Sequence, residues 1–357
     1  MLKTLSQTSS RHLRLPHRNR LMQSHTITVK DFNFEAGGHL DTVNVLYHTS
    51  DRAYAKGDKV VWICHALTGN SDPQDWWPGL VGPGKFIDPD NYYVVCVNML
   101  GSPYGTTGPA SINPATGKPF YLDFPRVTVR DICKCNFAVM DYLGIEKVDI
   151  LMGPSIGGFQ ALEMSIMQPE RVKNAIFMAT LHRTSPYLTA YEEAQRMAME
   201  ADPTFREAAS LKGGEAGLRA ARAIALISYR SYEGYKLTQS ETDPEVIFAN
   251  KACTYERYQG KKLSDRFDAY SYWSLSYSLD SHNVGRGRGG CQAALSRITA
   301  NCIAAGIDTD CLFPCSEVKE MSDMIPNCHF ARMFSDFGHD GFLLENEQLA
   351  GIIAPLL

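Results

Sequence analysis

The stretch Val148-Asp149-Ile150-Leu151-Met152-Gly153-Pro154-Ser155-Ile156-Gly157-Gly158-Phe159 decides how this chain folds. Residues 148–152 are short, apolar and β-branched at their start, as a buried strand requires. Small residues at 153–158 then allow a sharp corner. From Phe159 to Met167 the pattern is that of a buried helix, stopping before Pro169. A second strand is predicted over 172–179. Strand, corner, helix and strand in this order form a βαβ unit, which places the two strands parallel in one sheet. Working outward toward the N-terminus, 59–64 and 92–98 read as central strands, being continuous and rich in Val, Ile and aromatic residues. Residues 129–143 place Ile132, Cys135, Val139 and Leu143 at helical spacing, with Gly144 as a C-terminal cap.

Beyond residue 183 the alternation of strands and helices stops. Helical or irregular polar sequence runs to about 290, with helices expected over 187–199, 217–227 and 244–258. Strand-like sequence resumes at 301–305 and 329–334, and 347–356 suits a closing helix. The expected fold class is therefore α/β, a mostly parallel central sheet with an inserted, mainly helical lid. The expected organisation is a basic, disordered leader (1–30), a first core part (31–182), the lid (183–296) and a second core part (297–357).

Composition limits the partners. The 357 residues carry 35 Lys plus Arg against 39 Asp plus Glu, a formal charge of -4, with 44% hydrophobic residues. That balance argues against nucleic acid or an anionic membrane as a partner. No apolar run approaches the roughly 18 to 20 residues of a membrane-spanning helix. Ten cysteines, several within strand-like runs, read as buried hydrophobes in a reducing compartment, and their spacing gives no zinc-type pattern, so no metal is expected. The first 30 residues are basic, with no acidic residue before Asp31. They read as a disordered leader or as a prelude to a start at Met22; the other reading is an organelle transit peptide. The expected location is the cytoplasm, or an organelle if the leader is a transit peptide.

Gly153-Pro154-Ser155-Ile156-Gly157 fits G-x-S-x-G, in which a serine at a strained strand-to-helix corner is pushed into a cleft. Ser155 is the candidate nucleophile. It needs a base, and the base needs an orienting acid. In the α/β-hydrolase order the acid and then the histidine follow the serine, each in a loop after a later strand. His339, after the strand at 329–334, is the one histidine with both the right order and the right loop. His329 sits at a strand start and reads as solvated or structural. Asp310, after the strand at 301–305, is the candidate acid, and Asp308 is a rival that spacing leaves open. The backbone N–H of Ile156 and that of Leu67, in the loop 64–70, are the candidate oxyanion donors. His65 in that loop reads as a packing histidine.

Several further segments resemble the homoserine O-acetyltransferase family of α/β-hydrolase-fold acyltransferases. They are Cys64-His-Ala-Leu-Thr-Gly69, Asn98-Met-Leu-Gly-Ser-Pro-Tyr-Gly-Thr-Thr-Gly-Pro109, Leu122-Asp-Phe-Pro125, Gly153-Pro-Ser-Ile-Gly-Gly158, Ser228-Tyr-Arg230, Arg257-Tyr-Gln-Gly260, Arg266-Phe-Asp-Ala269, Val284-Gly-Arg-Gly-Arg-Gly289 and Gly338-His-Asp340. The resemblance runs from about residue 32 to the end. It implies Ser155 as nucleophile, Asp310 rather than Asp308 as acid and His339 as base. It also implies Arg230 and Asp340 as the residues that hold an amino-acid substrate. Ile156 departs from the Met more often found after the serine, which leaves its backbone N–H unaffected.

The resemblance implies transfer of an acetyl group from acetyl-CoA, a co-substrate rather than a resident cofactor, to L-homoserine in methionine biosynthesis. Succinyl-CoA as donor, serine as acceptor, and hydrolysis by a serine esterase or thioesterase with the same triad are the alternatives; Gly101-Ser-Pro-Tyr-Gly105 resembles acetyl-using members. Apolar and aromatic lid residues, such as Tyr187, Leu188 and Tyr191, suggest a homodimer formed through the lid, with cleft lining as their other use.

Overall fold

Six strands pair parallel, the inner ones built from buried and often branched side chains, and an antiparallel hairpin extends one edge of the sheet. The computed structural model describes residues 22–356. The first part of the chain comprises β1 (Met22–Asn33), β2 (His39–Ser50), β3 (Val60–Ile63), α1 (Pro73–Trp76), β4 (Tyr93–Val97), the short pair β5 (Ile112–Asn113) and β6 (Lys118–Pro119), α2 (Val129–Leu143), β7 (Val148–Pro154), α3 (Ile156–Met167) and β8 (Val172–Met178). Seven helices follow before the next strand: α4 (Pro186–Glu200), α5 (Pro203–Glu207), α6 (Glu215–Tyr229), α7 (Tyr232–Gln239), α8 (Lys251–Ser264), α9 (Ala269–Asp280) and α10 (Cys291–Leu295). The chain closes with β9 (Asn301–Ile307), α11 (Cys315–Asp323), β10 (Cys328–Met333), α12 (Gly341–Leu344) and α13 (Asn346–Ile353).

The large sheet has the order β1-β2-β4-β3-β7-β8-β9-β10. β1 pairs antiparallel with β2, and β2 with β4; every later pairing is parallel. β3 lies between β4 and β7, so the chain reverses its direction across the sheet there. Crevices at the carboxyl ends of strands beside such a switch are where open α/β sheets bind ligands.

Alternation along the strands divides the core between the two faces. Val60, Trp62, Cys64, Val95, Leu151 and Phe177 join one cluster, packed against α2, α3 and the helices of 186–295. Val61, Ile63, Val94, Ile150, Met152 and Ile176 join the other, with Trp77, Leu349 and Ile353. α2 is delimited as its sequence predicts. Thr128 and Asp131 form a reciprocal capping box at its start, and Gly144 at φ 68° ends it.

Two expectations need correction. Residues 22–30 belong to β1, where Met22 and Ile27 are buried and each residue from 22 to 30 pairs with β2, so the expected leader does not extend to residue 30. Residues 1–21 of that leader lie outside the described residues. The helix expected over 244–258 begins only at Lys251, since residues 240–250 take turn-like paths around the hydrogen bonds that Glu241 accepts from the N–H groups of Asn250 and Lys251. α7 and α9 were not anticipated, because Ser and Tyr dominate α9 and blur its apolar period.

Nearly all of α3 is buried, including Glu163 at 1% exposure. Its carboxylate meets Arg288 Nη2 at 2.7 Å and Arg130 Nε at 3.3 Å, and Arg130 Nη1 also reaches Glu35 at 2.9 Å. This cluster ties the chain returning from the inserted helices to α2, α3 and the β1–β2 turn. Glu163→Gln leaves two largely buried guanidinium groups without their central counter-charge, and is expected to cost on the order of 3 kcal/mol. Urea unfolding checks this as a lower midpoint at unchanged slope; an unaltered midpoint would show that the cluster contributes nothing net.

Candidate active site

The corner after β7 holds Ser155 at φ 58° and ψ −126°, outside the ordinary regions for a residue with a side chain. Its surroundings enforce that conformation. The Ser155 N–H donates to Met178 O at 2.9 Å, and the Ser155 carbonyl accepts from the N–H groups of Gly158 and Phe159 and from Thr180 Oγ1. A Cβ at Gly157 would lie 2.2 Å from Cys64 O, and one at Gly153 would lie 2.3 Å from Gly157 O. Both glycines of the motif are thus fixed by backbone-to-backbone approach. The helix begins directly at Ile156, three residues earlier than its apolar pattern suggests, because small residues let it start at the corner itself.

His339 lies in a short 3-10 turn at 338–340, after β10, and is 3% exposed. Its Nδ1 is 2.7 Å from Asp310 Oδ2. Asp310, in the loop after β9, is 5% exposed, and its Oδ1 accepts from the N–H groups of Leu312 (2.8 Å) and Phe313 (3.1 Å). The rival Asp308 is engaged elsewhere: its carboxylate accepts from the Ser335 N–H at 3.1 Å. The rings of Phe313, Phe342 and Tyr229 surround His339 with centroids at 5.1, 5.4 and 5.7 Å. Burial among these rings would lower its pKa, but the Asp310 charge and hydrogen bond, with the Asp340 charge, raise it overall above the ordinary 6.5. Sequence reasoning missed this aromatic wall, since its members come from three separate segments.

The oxyanion candidates follow two neighbouring strands, β3 and β7. Leu67 is in the loop after β3, and the Ile156 N–H is at the first turn of α3, where helical N–H groups lack intrahelical acceptors. Among the described residues neither N–H donates to a protein acceptor. The Ala66 carbonyl, which shares a peptide plane with the Leu67 N–H, is fixed by the Gly69 N–H (2.8 Å) and by His65 Nδ1 (2.9 Å). A trans peptide points its N–H opposite to its C=O, so these bonds also aim the Leu67 N–H. His65 Nε2 accepts from the Met99 N–H at 3.1 Å, and burial lowers the His65 pKa to about 4, keeping the imidazole neutral as that acceptance requires. His65 thus joins two loops by hydrogen bonds as well as packing between them. His329 is exposed on β10.

Arg230 ends α6 and its Nε lies 2.7 Å from Asp340 Oδ2, a charge contact rather than an aligned hydrogen bond. Asp340 adjoins His339 in the same turn, so the pair sets a cation and an anion beside the imidazole. Among the described residues no group of three or more His, Cys, Asp and Glu is placed to hold a metal ion, and no helix is long and apolar enough to cross a membrane. All ten cysteines are free.

Residues 59–346 match the family model of the α/β-hydrolase fold. A homoserine O-acetyltransferase of Cyclobacterium marinum is 42% identical over 321 residues, covering 90% of this chain and 91% of its own. The chain belongs to the homoserine O-acetyltransferase family. A solved structure of a homoserine O-acetyltransferase from Bacillus anthracis shares the fold with a TM-score of 0.86, at 22% identity over 94% of this chain and 98% of that one. The esterase E22 shares it with a TM-score of 0.84, at 24% identity over 94% of this chain and 99% of that one. The homoserine O-acetyltransferase fold is therefore also the fold of an esterase, and only the site can separate the two chemistries.

The contact between His339 and Asp310 makes the imidazole titration a direct test. In NMR spectra His339 is expected to titrate above 6.5, and Asp310→Asn to lower that titration, because burial is then opposed by the Asp340 charge alone. An unshifted titration in the variant would remove Asp310 from the pair.

Proposed function

We propose that this protein transfers an acetyl group from acetyl-CoA to the hydroxyl of L-homoserine through an acetyl-serine at Ser155. The observation that carries the reading is the Arg230–Asp340 pair beside His339. A free α-amino acid carries a carboxylate and an ammonium on one carbon, and this pair offers the opposite charge to each. The guanidinium suits paired hydrogen bonds to a carboxylate.

His339 takes the Ser155 hydroxyl proton as Oγ attacks the thioester carbonyl. Asp310 stabilises the imidazolium, and the Leu67 and Ile156 N–H groups stabilise the oxyanion. The C–S bond breaks, the thiolate takes the proton from His339, and CoA leaves. The homoserine hydroxyl then gives its proton to His339 and attacks the acetyl-serine; the second tetrahedral intermediate breaks the acyl–Oγ bond, and His339 returns the proton to Ser155. The inserted helices, taken as a lid, limit access of water, which would otherwise take the acetyl group. The product serves methionine biosynthesis.

The test is release of free CoA thiol with acetyl-CoA or succinyl-CoA, and homoserine, serine or no acceptor. Release is expected to need acetyl-CoA and homoserine and to vanish in Ser155→Ala; equal release without acceptor would make water the second substrate. Arg230→Ala is expected to raise the KM for homoserine by about 100-fold or more, as a charge-assisted bidentate contact of roughly 3 kcal/mol would, with little change for acetyl-CoA. Equal changes in both would end its acceptor role.

We also propose a homodimer through the lid. Leu188 takes no part, being buried at 3% exposure, and Tyr187 lies beside Cys311 near the cleft. The apolar surface lies instead on α6, α7 and the 240–250 segment, where Ile227, Tyr232, Leu237, Ile247 and Phe248 are between 58% and 86% exposed. Light scattering is expected to give twice the chain mass; a monomer at all working concentrations would exclude the dimer.

A further inference from the structure

The turn that presents the Leu67 N–H is tied to the core at both ends, at Cys64 and His65 and again where the Ser71 N–H donates to Asn98 Oδ1. Its base is fixed, since Cys64 N–H donates to Met152 O at 2.8 Å and His65 packs beneath it. Between these ends it is held by a residue from the inserted helices. Arg266, between α8 and α9, donates from Nη1 to Thr68 O at 2.6 Å, across 198 residues of sequence. The same nitrogen bonds the Tyr104 hydroxyl.

These contacts close a ring of hydrogen bonds. Asn98 Nδ2 donates to Tyr104 O at 2.7 Å, while Asn98 Oδ1 accepts from the Ser71 N–H at 2.8 Å, at the end of the loop that carries Leu67. The path from Thr68 through Ser71, Asn98, Tyr104 and Arg266 back to Thr68 is therefore continuous. Arg266 is the one member of this path that comes from the inserted helices. Its neighbour Phe267 is 5% exposed and packs edge-on against Tyr104 at 5.6 Å, which fixes the backbone from which the guanidinium reaches out. A surface arginine with no structural task would be free to point its charge into water. Here a guanidinium hydrogen is committed to a main-chain carbonyl of the oxyanion turn.

We propose that Arg266 is a positioning residue for the oxyanion hole, a latch by which the inserted helices hold the turn carrying the Leu67 N–H in register with Ser155. The proposal rests on the assignment of Ser155 and Leu67 in the proposed function. It also gives those helices a second task, since their docking then completes the hole as well as covering the cleft. A donor displaced by about 1 Å loses much of its effect on a developing oxyanion, and such displacements can lower rates about 100-fold.

The experiment compares wild type with Arg266→Ala, Arg266→Lys and Tyr104→Phe, using homoserine-dependent CoA release and the rate at which a fluorophosphonate probe labels Ser155. The probe needs the hole but no acceptor and no CoA. Arg266→Ala is expected to lower kcat and the labelling rate by a similar factor, about 10-fold to 100-fold. The KM values for acetyl-CoA and homoserine and the thermal midpoint should stay close to wild type. Arg266→Lys, which keeps one donor, should recover part of the loss, and Tyr104→Phe should give a smaller loss in both rates. A rise in the acetyl-CoA KM with unchanged labelling would overturn the proposal by making Arg266 a donor-binding group. Unchanged rates would overturn it as well, as would losses explained by a lowered midpoint. If Arg266→Ala does not fold, Arg266→Lys and Tyr104→Phe decide, and wild-type rates in both overturn it. Turnover surviving in Ser155→Ala would instead remove the underlying assignment, whatever the Arg266 variants do.

Discussion

The close approach of two backbones, Gly157 against the Cys64 carbonyl, is the constraint on which this site depends. A single added carbon at Gly157 would sit 2.2 Å from that oxygen. Without the approach, the loop after β3 could not lie over the start of α3, and the two oxyanion candidates would separate. Beside this contact Ser155 is held at positive φ. Such strain persists only when surrounding contacts over-determine it. Here it is fixed by the hydrogen bonds at both ends of the Ser155 residue and by the buried helix that follows.

Electrostatics divide the buried polar groups into two kinds. His65 is neutral, because burial is opposed only by a backbone carbonyl, and so it serves as a donor on one nitrogen and an acceptor on the other. His339 is just as buried yet retains its affinity for a proton, because a carboxylate stands 2.7 Å away. One imidazole is fit for architecture and the other for holding a proton, and the difference is the neighbouring carboxylate charge, that of Asp310 first and that of Asp340 beside it. His282 belongs with the first kind: it stacks on Phe159 at 3.8 Å, bonds the Leu181 carbonyl, and its pKa is lowered to about 3.

The helices between β8 and β9 are joined to the sheet at points that matter for chemistry. Arg288 meets Glu163 on the helix that Ser155 begins, Arg266 meets the turn of Leu67, and Arg230 meets the turn of His339. In each case a guanidinium from the inserted region, or from the chain leaving it, reaches a carboxylate or carbonyl on the core. Arginine suits this use because its planar fork carries several donors on one rigid group.

The sequence by itself determined the parallel sheet, the corner at Ser155 and the order of serine, acid and histidine. These are local properties: an apolar run sets a strand, glycines permit a corner, and chain order is simply read off. It also determined the extent of α2 and its end at Gly144, since a glycine cap is a local signal. Its spacing left the choice between Asp308 and Asp310 open, because two carboxylates two residues apart in one loop differ only in what their side chains meet, and the family resemblance alone favoured Asp310. Tertiary structure decided that choice, placing Asp310 against His339 and Asp308 against the Ser335 backbone. Tertiary structure alone also decided that residues 22–30 form a strand, because their pattern acquires meaning only when β2 lies beside them. The aromatic wall around His339 and the reach of Arg266 to Thr68 are likewise contacts between segments far apart in the chain. Sequence records what each residue can bond; only the fold brings the partner within a bond's length.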